Sequence, residues 1–425
     1  MLDIKLIREN PQDIERQLKT KDPEASVQKI LHLDEEIRRL KAKAEELKKE
    51  RNQSAKEIGE RKRKGEDLED LLKSVEGVGD KISKLDQDLS KLEEELKFEL
   101  GCLPNLPFPD VKVSLDPQEN ICIKTFGEKP SFSFAPKNHL ELNEGLKLFD
   151  FKRGTKIGGA GWPAYRGIGA RLEWALINFM IDTHVTNGFE QWIPPLVGRS
   201  DILFGSANLP KFEDQLYKIQ DKEDVLYLIP TAEAVLNGLH FDEIIDREVL
   251  PLKYTAYTPC FRREAGAAGS QERGLIRTHQ FNKVEMFCIT HPEESSQIYE
   301  EMLKSAEEIL QALNIHYRRM LLVTGDMSFA SAKTIDLEVW LPGQNRYYEV
   351  SSISNCTDFQ ARRSKMRFKA GNDKPEFVHT LNGSGLATSR LMVALLENNQ
   401  KEDGSVTLPT VLHKYLEGLK ELIPL

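Results

Sequence analysis

A run of glycine and alanine separates two small groups of charged and aromatic residues that could form one binding site. Arg262 and Glu264 precede the run, and Arg277, Phe281 and Glu285 follow it. Residues two or four apart share a face of a β-strand, so an antiparallel hairpin with Arg277 inside its second strand would present these side chains to one ligand. Arginine suits bidentate contact with phosphate or carboxylate. A solvated ribbon with cross-strand ion pairs would have the same spacing, so these residues alone leave both interpretations open.

Three further stretches carry residues of the same chemical kind. YEVSSISN places Glu349 and Ser352 beside one another on a strand, as hard oxygen ligands suited to Mg²⁺ on a nucleotide. LIPTAEAVLNG places Thr231 and Glu233 at a strand-to-helix turn, where a helix cap is the alternative. LNGSGLATSR predicts a glycine-rich turn that opens a helix carrying Arg390, and helix N-termini attract anions. No P-loop or Rossmann glycine motif is present, so a nucleotide would bind on neither of those turns.

The elements around these residues indicate an α+β fold. Beyond residue 120, short β-rich runs such as KVEMFCI and LEVWLP alternate with helical segments such as SSQIYEEMLKSAEEILQAL. Several strands follow one another without an intervening helix, which favours an antiparallel sheet flanked by helices.

The first hundred residues show a different pattern. Apolar residues recur in steps of three and four from Ile30 to Ile58 and again from Leu68 to Leu96, on either side of RKRKGED. These heptads predict an antiparallel coiled-coil hairpin, each helix about 50 Å long. Its tip carries four consecutive basic residues, which would contact nucleic-acid phosphates or merely keep the tip soluble; they are Arg61, Lys62, Arg63 and Lys64.

Prolines then mark a linker, so the predicted domains are 1–103, a linker at 104–120, and 121–425. The formal net charge of −9 argues weakly against general affinity for a polyanion, although a local basic patch can act within an acidic chain. The chain shows no signal peptide and no apolar run long enough to span a membrane. Its five cysteines form no CxxC or Cys/His ligand spacing, so we expect reduced cytosolic thiols and no protein-bound zinc.

Taken together, these stretches resemble the class II aminoacyl-tRNA synthetases and closely resemble the bacterial-type seryl-tRNA synthetase family. Motif 1 of the family corresponds to GFEQWIPPLV at about 188–197, with Pro195 as its characteristic proline. Motif 2 corresponds to about 258–287 and motif 3 to about 380–398. PTAE and YEVSSISN are further signatures, and the helical arm has its counterpart in the family.

The resemblance implies a site for ATP. Arg262 would be the catalytic residue, because it would contact both the α-phosphate and the amino-acid carboxylate and stabilise charge as they react. Arg277 and Arg390 would contact the γ-phosphate. The residues implied to bind ATP are Arg262, Arg263, Glu264, Arg277, Phe281, Glu349, Val350, Ser351, Ser352 and Arg390.

Within that set, the resemblance gives the adenine and the metal separate partners. Glu264 would accept a hydrogen bond from the adenine amine, and Phe281 would stack on the ring. Glu349 and Ser352 would hold Mg²⁺.

The resemblance also implies a pocket for L-serine. Thr231 and Glu233 would bind the ammonium group with help from Asn382, while Glu285 and Ser384 would reach the side-chain hydroxyl. Such a pocket leaves buried polar groups unpaired when alanine or glycine binds, so these are rejected strongly. The complete implied set is Thr231, Ala232, Glu233, Glu285, Asn382 and Ser384.

The implied partners are tRNA(Ser), gripped by the arm, and a second copy of the chain through motif 1; tRNA(Sec) would also be charged where a host has it. Two departures from the family pattern are Glu272 and GWPAYRG at 161–167. One rival hypothesis is a class II-like paralogue that passes an activated amino acid to a carrier protein, but such relatives generally lack the arm. The other is a coiled-coil interaction protein with an inert head, and the presence of Arg262, Glu349 and Arg390 argues against it.

Overall fold

The computed structural model of the protein describes residues 1–65, 67, 76–263 and 274–425. The chain divides into two compact units, Leu2–Leu103 and Pro104–Leu425, the second of which includes Met1. Among the described residues, no helix is both long enough and apolar enough to cross a lipid bilayer.

In the described part of the smaller unit, two short helices are followed by two long ones. They are α1 (Ile4–Glu9), α2 (Pro11–Lys19), α3 (Gln28–Lys64) and α4 (Val78–Gly101). Helix α1 begins after Asp3, whose carboxylate accepts from the Lys5 N–H, and α2 begins with a proline at its first position. Helix α3 has 37 residues and is therefore about 55 Å long.

Helices α3 and α4 pack against each other in antiparallel orientation, as the heptad spacing predicts. Their seam is built from Ile37, Ala44 and Leu89, with four half-buried leucines against it. Ion pairs join the two helices, and residue numbers in α4 fall as those in α3 rise, which only an antiparallel pair allows; they are Lys29–Glu99, Lys41–Glu93 and Lys48–Asp86. The predicted heptad positions from Leu68 to Val75 lie outside the described residues.

The larger unit contains the remaining helices of the described chain and all of its strands. The helices are α5 (His139–Leu146), α6 (Phe151–Gly158), α7 (Ile168–Thr186), α8 (Ser200–Gly205), α9 (Ala232–Gly238), α10 (Ser295–Ala312), α11 (Phe359–Ser364) and α12 (Thr388–Asn398). The strands are β1 (Ile121–Phe126), β2 (Phe149–Asp150), β3 (Ala164–Tyr165), β4 (Glu190–Trp192), β5 (Val197–Arg199), β6 (Lys218–Asp221), β7 (Asp224–Leu228), β8 (Ile244–Asp246), β9 (Leu252–Phe261), β10 (Gln280–Thr290), β11 (Tyr317–Leu321), β12 (Lys333–Leu341), β13 (Arg346–Asn355), β14 (Arg367–Lys369), β15 (Glu376–Phe377), β16 (His379–Ala387), β17 (Val406–Thr407) and β18 (Glu421–Leu422).

The main sheet has 8 strands in the order β1–β11–β12–β13–β16–β10–β9–β4. Its neighbouring strands are antiparallel except for β4 and β9, which run parallel. Helices α7, α10 and α12 cover one face. The predicted α+β class, with an antiparallel sheet flanked by helices and an N-terminal helical arm, is confirmed.

Strand β10 shows how the two faces of the sheet differ. Val284, Met286 and Cys288 point into the main hydrophobic core with the covering helices. Lys283 and Glu285 alternate with them and therefore point to the opposite face, which we call the open face. The segment 104–120 contains no α-helix or strand, and it packs on the larger unit: the Asn105 side chain is buried and donates to the carbonyls of Ala330 and Cys356.

The hairpin predicted around the glycine-rich run is present, since β9 and β10 pair antiparallel with Phe281 opposite Cys260. The prediction that Arg277 lies inside the second strand is wrong, because β10 begins at Gln280. Two contacts keep the preceding residues out of the ladder. The Thr278 hydroxyl donates to the Gln280 carbonyl, and the His279 N–H donates to the Gly161 carbonyl instead of to β9.

The glycine-rich turn predicted before Arg390 is also wrong, since these glycines lie within strand β16. A Cβ on Gly383 would come within 2.7 Å of the Ile353 side chain, and one on Gly385 within 2.1 Å of His184 Nε2. The glycines therefore allow neighbouring groups to approach the strand closely. The helix carrying Arg390 begins directly after it, at Thr388.

Candidate active site

A cleft on the open face gathers side chains from the hairpin, from strands β13 and β16, and from the start of α12. All three arginines predicted to contact phosphates line it. The complete lining is Arg262, Ile276, Arg277, Thr278, Phe281, Lys283, Glu349, Ser384, Ala387, Ser389 and Arg390.

Arg262 follows the last residue of β9 and is held from both sides. Its N–H donates to the His279 carbonyl at 2.9 Å, and its own carbonyl lies 2.9 Å from His279 Nδ1. The guanidinium carbon lies 5.2 Å from the centre of the Phe281 ring, and Nε donates to the Pro230 carbonyl at 3.3 Å. Trp162, from the stretch that departs from the family pattern, stacks on His279 with ring centres 5.5 Å apart. Trp162 therefore supports Arg262 indirectly, because it packs on the His279 residue to which the Arg262 backbone is hydrogen-bonded.

A β-bulge at Val350 brings Glu349 and Ser352 to one face. Residues three apart on a regular strand point to opposite faces. Here Ser352 pairs with Asp336 and Glu349 pairs with Glu338, and the two partners are only two residues apart on β12. The extra residue, Val350, is buried in the hydrophobic core. The bulge thus places a carboxylate and a hydroxyl together on the open face.

Asp336 adds a second carboxylate beside Ser352. It is 9% exposed, and burial raises the pKa of its carboxyl group well above the usual value, with the Glu349 charge as a further cause. Its Oδ1 has no hydrogen-bond partner among the described residues.

Arg390 and Glu349 form an ion pair at the rim of the cleft. Arg390 Nη1 lies 3.2 Å from Glu349 Oε2 and donates to the Glu349 carbonyl at 3.1 Å. Both side chains keep some solvent exposure, so each remains accessible to a ligand. The pair joins α12, the helix of motif 3, to the bulged strand.

A buried polar network lies next to this cleft. The Thr231 hydroxyl donates to Glu285 Oε2 at 2.7 Å and accepts from Lys283 Nζ at 2.7 Å. Lys283 also forms an ion pair with Glu285, and both residues are at most 6% exposed. Glu285 and Ser384 are direct partners on β10 and β16. The network therefore combines a carboxylate, a cation and hydroxyl groups in a water-poor pocket.

Glu233 forms the other wall of this pocket. Its N–H donates to Thr231, which caps α9, so the capping interpretation of that stretch is confirmed. Its Oε1 accepts from Gln360 Nε2 at 2.6 Å and from Asn382 Nδ2 at 2.9 Å. Burial, reinforced by the negative charge of Glu285, raises the pKa of Glu233 to about 7. A cationic group bound here would reverse this effect.

Some predicted residues do not bring their side chains into these cavities. Ala232 and Val350 are buried in hydrophobic clusters, and the Ser351 hydroxyl donates to the Ser384 carbonyl at 2.6 Å. Arg263 is exposed and is absent from the lining of the cleft, and Glu264 lies outside the described residues, as does Glu272.

Two residues of the pocket were missed by sequence reasoning. Lys283 shares the period-two face of Phe281 and Glu285, so its position was available from the spacing. Gln360 lies on α11, far from the motifs that were singled out, and nothing in the sequence marks it as a neighbour of Glu233.

The four basic residues at the predicted tip of the arm form the last turn of α3. The helix ends at Gly65, which has a left-handed φ of 72°. Arg61 is half-buried and donates to Glu57 at 2.6 Å, while Lys62, Arg63 and Lys64 are exposed.

Two protein-family models match the chain in separate regions. The seryl-tRNA synthetase N-terminal domain matches residues 1–107. The tRNA synthetase class II core domain (G, H, P, S and T) matches residues 217–399.

Full-length relatives agree with these matches. The serine–tRNA ligase of Chlamydia abortus is 54% identical over 100% of both chains. The seryl-tRNA synthetase of Pyrococcus horikoshii, solved in complex with ATP, is 39% identical with a TM-score of 0.92, covering 100% of both chains. The cytoplasmic serine–tRNA ligase of Naegleria fowleri, solved in complex with AMP, is 29% identical with a TM-score of 0.86, covering 100% of this chain and 99% of the other.

Proposed function

The chain belongs to the seryl-tRNA synthetase family, and from that premise we propose that it activates L-serine with ATP and transfers the serine to the 3′ end of tRNA(Ser). Activity of this kind needs an anion-binding cleft next to a polar amino-acid pocket. The observation that carries the proposal is that Arg262 lines the cleft of Arg277 and Arg390 and also lies beside the pocket of Thr231 and Glu233.

In the first step, an oxygen of the serine carboxylate attacks the α-phosphorus of ATP, and pyrophosphate leaves. A carboxylate is already a nucleophile, so the protein supplies position and positive charge instead of a general base. Arg262 would contact the carboxylate and the α-phosphate together, and Arg277 and Arg390 would contact the γ-phosphate. The Phe281 ring offers a face for adenine to stack on.

The bulged strand suits a magnesium ion. Glu349 and Ser352 would hold it, with Asp336 and its unpartnered oxygen close to Ser352. Carboxylate and hydroxyl oxygens are the ligands that Mg²⁺ prefers. When bound, the ion would neutralise phosphate charge, and Arg390 would exchange its pairing with Glu349 for the nucleotide.

The serine pocket would bind both the ammonium group and the side-chain hydroxyl of the amino acid. Glu233, Asn382 and Thr231 would receive the ammonium group, while Glu285 and Ser384 would bond the hydroxyl. Lys283 offsets the burial of the Glu285 carboxylate. Alanine would leave this network unpaired, whereas the extra methyl group of threonine must be excluded by shape.

In the second step, tRNA(Ser), and tRNA(Sec) where a host has it, would be the acceptor. We propose residues 1–103 as the tRNA-binding domain, 104–120 as the linker and 121–425 as the catalytic domain. A homodimer through motif 1 and a cytoplasmic location belong to the same proposal. Ile193 is 89% exposed in motif 1, which supports an interface there.

The test is amino-acid-dependent exchange of pyrophosphate into ATP, without tRNA, using serine, threonine, alanine, cysteine and glycine separately. We expect exchange with serine alone. Exchange with another amino acid would contradict the roles of Glu285 and Ser384 while leaving activation chemistry intact. A folded protein that binds ATP but is silent with all five would contradict the proposal. Transfer of activated serine to a carrier protein in place of tRNA would support the paralogue hypothesis.

A further inference from the structure

Several groups hold the guanidinium of Arg390, and a bound nucleotide would not displace all of them. Nη1 donates to the Glu349 carbonyl at 3.1 Å and lies 3.2 Å from Glu349 Oε2. Nε donates to the Ile276 carbonyl at 3.5 Å. The guanidinium carbon also lies 5.0 Å from the centre of the Tyr348 ring. When Mg²⁺ and ATP bind, the Glu349 carboxylate would leave Arg390, so the other contacts decide where the guanidinium points.

Tyr348 lies next to the nucleotide cleft but is not among the described residues that line it. It precedes Glu349 on β13 and therefore points to the opposite face of the sheet, where it packs against the main hydrophobic core. An aromatic ring attracts a cation with its negatively polarised face, whereas a phosphate accepts hydrogen bonds from the N–H groups at the edge of a guanidinium. The ring and a phosphate therefore do not compete for the same part of Arg390.

A second arginine connects the Tyr348 ring to the helix that carries Arg390. The guanidinium carbon of Arg346 also lies 5.0 Å from the centre of that ring. Its Nη2 donates to Gln344 Oε1 at 3.1 Å, and Gln344 Nε2 donates to Glu397 Oε1 at 2.9 Å. Glu397 is fully buried and lies on α12, about two turns after Arg390. The turn between β12 and β13 thus holds the ring and the helix in one arrangement.

We propose that Tyr348 is a positioning residue for the γ-phosphate of ATP, because its ring keeps the Arg390 guanidinium in the cleft while the Glu349 carboxylate passes to Mg²⁺. The inference rests on the proposed function. Without the ring, Arg390 would lose a contact that survives nucleotide binding, and its guanidinium would be ordered only when the phosphate arrives. The cost of that ordering falls on ATP. It does not fall on AMP, which has no γ-phosphate.

The test compares the binding of ATP and of AMP, each with Mg²⁺ and without serine, by calorimetric titration. In Tyr348→Leu we expect the dissociation constant of ATP to rise about fivefold, the effect of one cation–π contact, and that of AMP to change by less than about twofold. Tyr348→Phe keeps the ring and should bind ATP as the wild type does. Tyr347→Leu is the matched control, because the Arg318 guanidinium carbon lies 4.0 Å from the centre of that neighbouring ring, which is also absent from the cleft lining.

Ring-fluorinated phenylalanine at position 348 tests the same contact with little change in packing. Fluorine weakens the negative face of the ring while nearly keeping its shape, so the affinity for ATP should fall as fluorines are added and that for AMP should not. This series decides the proposal even if Tyr348→Leu does not fold.

An ATP affinity that does not respond to fluorination would overturn the proposal, whatever the result with Tyr348→Leu. So would an equal loss for ATP and AMP, or a loss in Tyr347→Leu as large as that in Tyr348→Leu. Serine-dependent pyrophosphate exchange on the same preparations separates this failure from that of the proposed function. A wild-type protein that exchanges, but whose ATP affinity is independent of the ring, refutes the role of Tyr348 alone, whereas one that does not exchange refutes the function beneath it.

Discussion

Glu233 is the residue whose protonation should set the pH dependence of serine binding. Burial, followed by the charge of Glu285, raises its pKa to about 7. A bound ammonium group favours the ionised carboxylate, so serine binding must release a proton wherever Glu233 is protonated. We expect the apparent affinity for serine to be constant above about pH 7.5 and to fall by about tenfold per pH unit below pH 7.

Calorimetric titration with serine between pH 5.5 and 8.5 would measure this profile and the released proton together. Glu233→Gln is the matched variant: it should bind serine more weakly at pH 8 and lose the pH dependence. A wild-type profile that is flat from pH 6 to 8 would show that Glu233 does not receive the ammonium group.

At the level of single residues, the sequence predicted chemistry better than geometry. The spacing of Phe281 and Glu285 predicted that they share one face of a strand, and both lie on the same face of β10. Glu349 and Ser352 meet only because Val350 forms a bulge, and no residue type in the stretch marks that bulge. Gln360 reaches Glu233 through tertiary packing, which a single sequence does not encode locally.

The elements around the site are tied together by one buried carboxylate. Glu173, on α7, accepts from Asn282 of β10 at 3.0 Å and also from the hydroxyl of Thr388, the first residue of α12. Its other oxygen has no partner among the described residues, and burial raises the pKa of the group to about 7. Glu173 therefore joins the helix before motif 1 to the strand of motif 2 and the helix that carries Arg390.

Because the folded pKa of Glu173 exceeds its ordinary value of 4.5, this group should favour the folded state less as pH rises from about 4.5 to 7. Glu173→Gln removes the titration while keeping an acceptor for both donors. We expect the free energy of unfolding of the variant, minus that of the wild type, to rise by roughly 3 kcal/mol between pH 4.5 and 7. Urea unfolding across that range would measure it, and a constant difference would contradict the role given to this carboxylate.

Helices were easier to predict than the strands next to them. The heptads of α3 and α4 each leave one apolar seam to bury, and the short polar turn predicted between them makes an antiparallel pair the simplest geometry. Strand β16 was missed since its glycines resemble turn signals, and their reason lies in Ile353 and His184, which are distant in sequence.

The whole molecule is expected to work as a dimer through motif 1. Ile193, at 89% exposure, and the exposed Leu196 lie within that motif, and the exposed Trp174 lies on the preceding helix α7. Ile193→Glu would place a charge in the proposed interface. Sedimentation should then show monomer where the wild type sediments as dimer.

Val113→Glu, at a position that is 64% exposed outside motif 1, is the control and should remain dimeric. A dimeric Ile193→Glu protein would exclude this residue from the interface.

At the scale of the whole chain, the distribution of charge makes the basic turn of the arm the part that we expect to contact RNA. The net charge of −9 opposes binding of a polyanion, and Lys62, Arg63 and Lys64 are exposed together at the end of α3. Changing Arg61, Lys62, Arg63 and Lys64 to glutamine should leave serine-dependent pyrophosphate exchange intact and raise the KM for tRNA(Ser) by tenfold or more. The salt dependence of tRNA binding should also weaken, since fewer counterions are released.

Changing Lys369 and Lys374, which are exposed in the larger unit, controls for loss of positive charge alone. Unimpaired charging at low tRNA concentration would mean that these residues serve solubility and that the arm grips tRNA elsewhere.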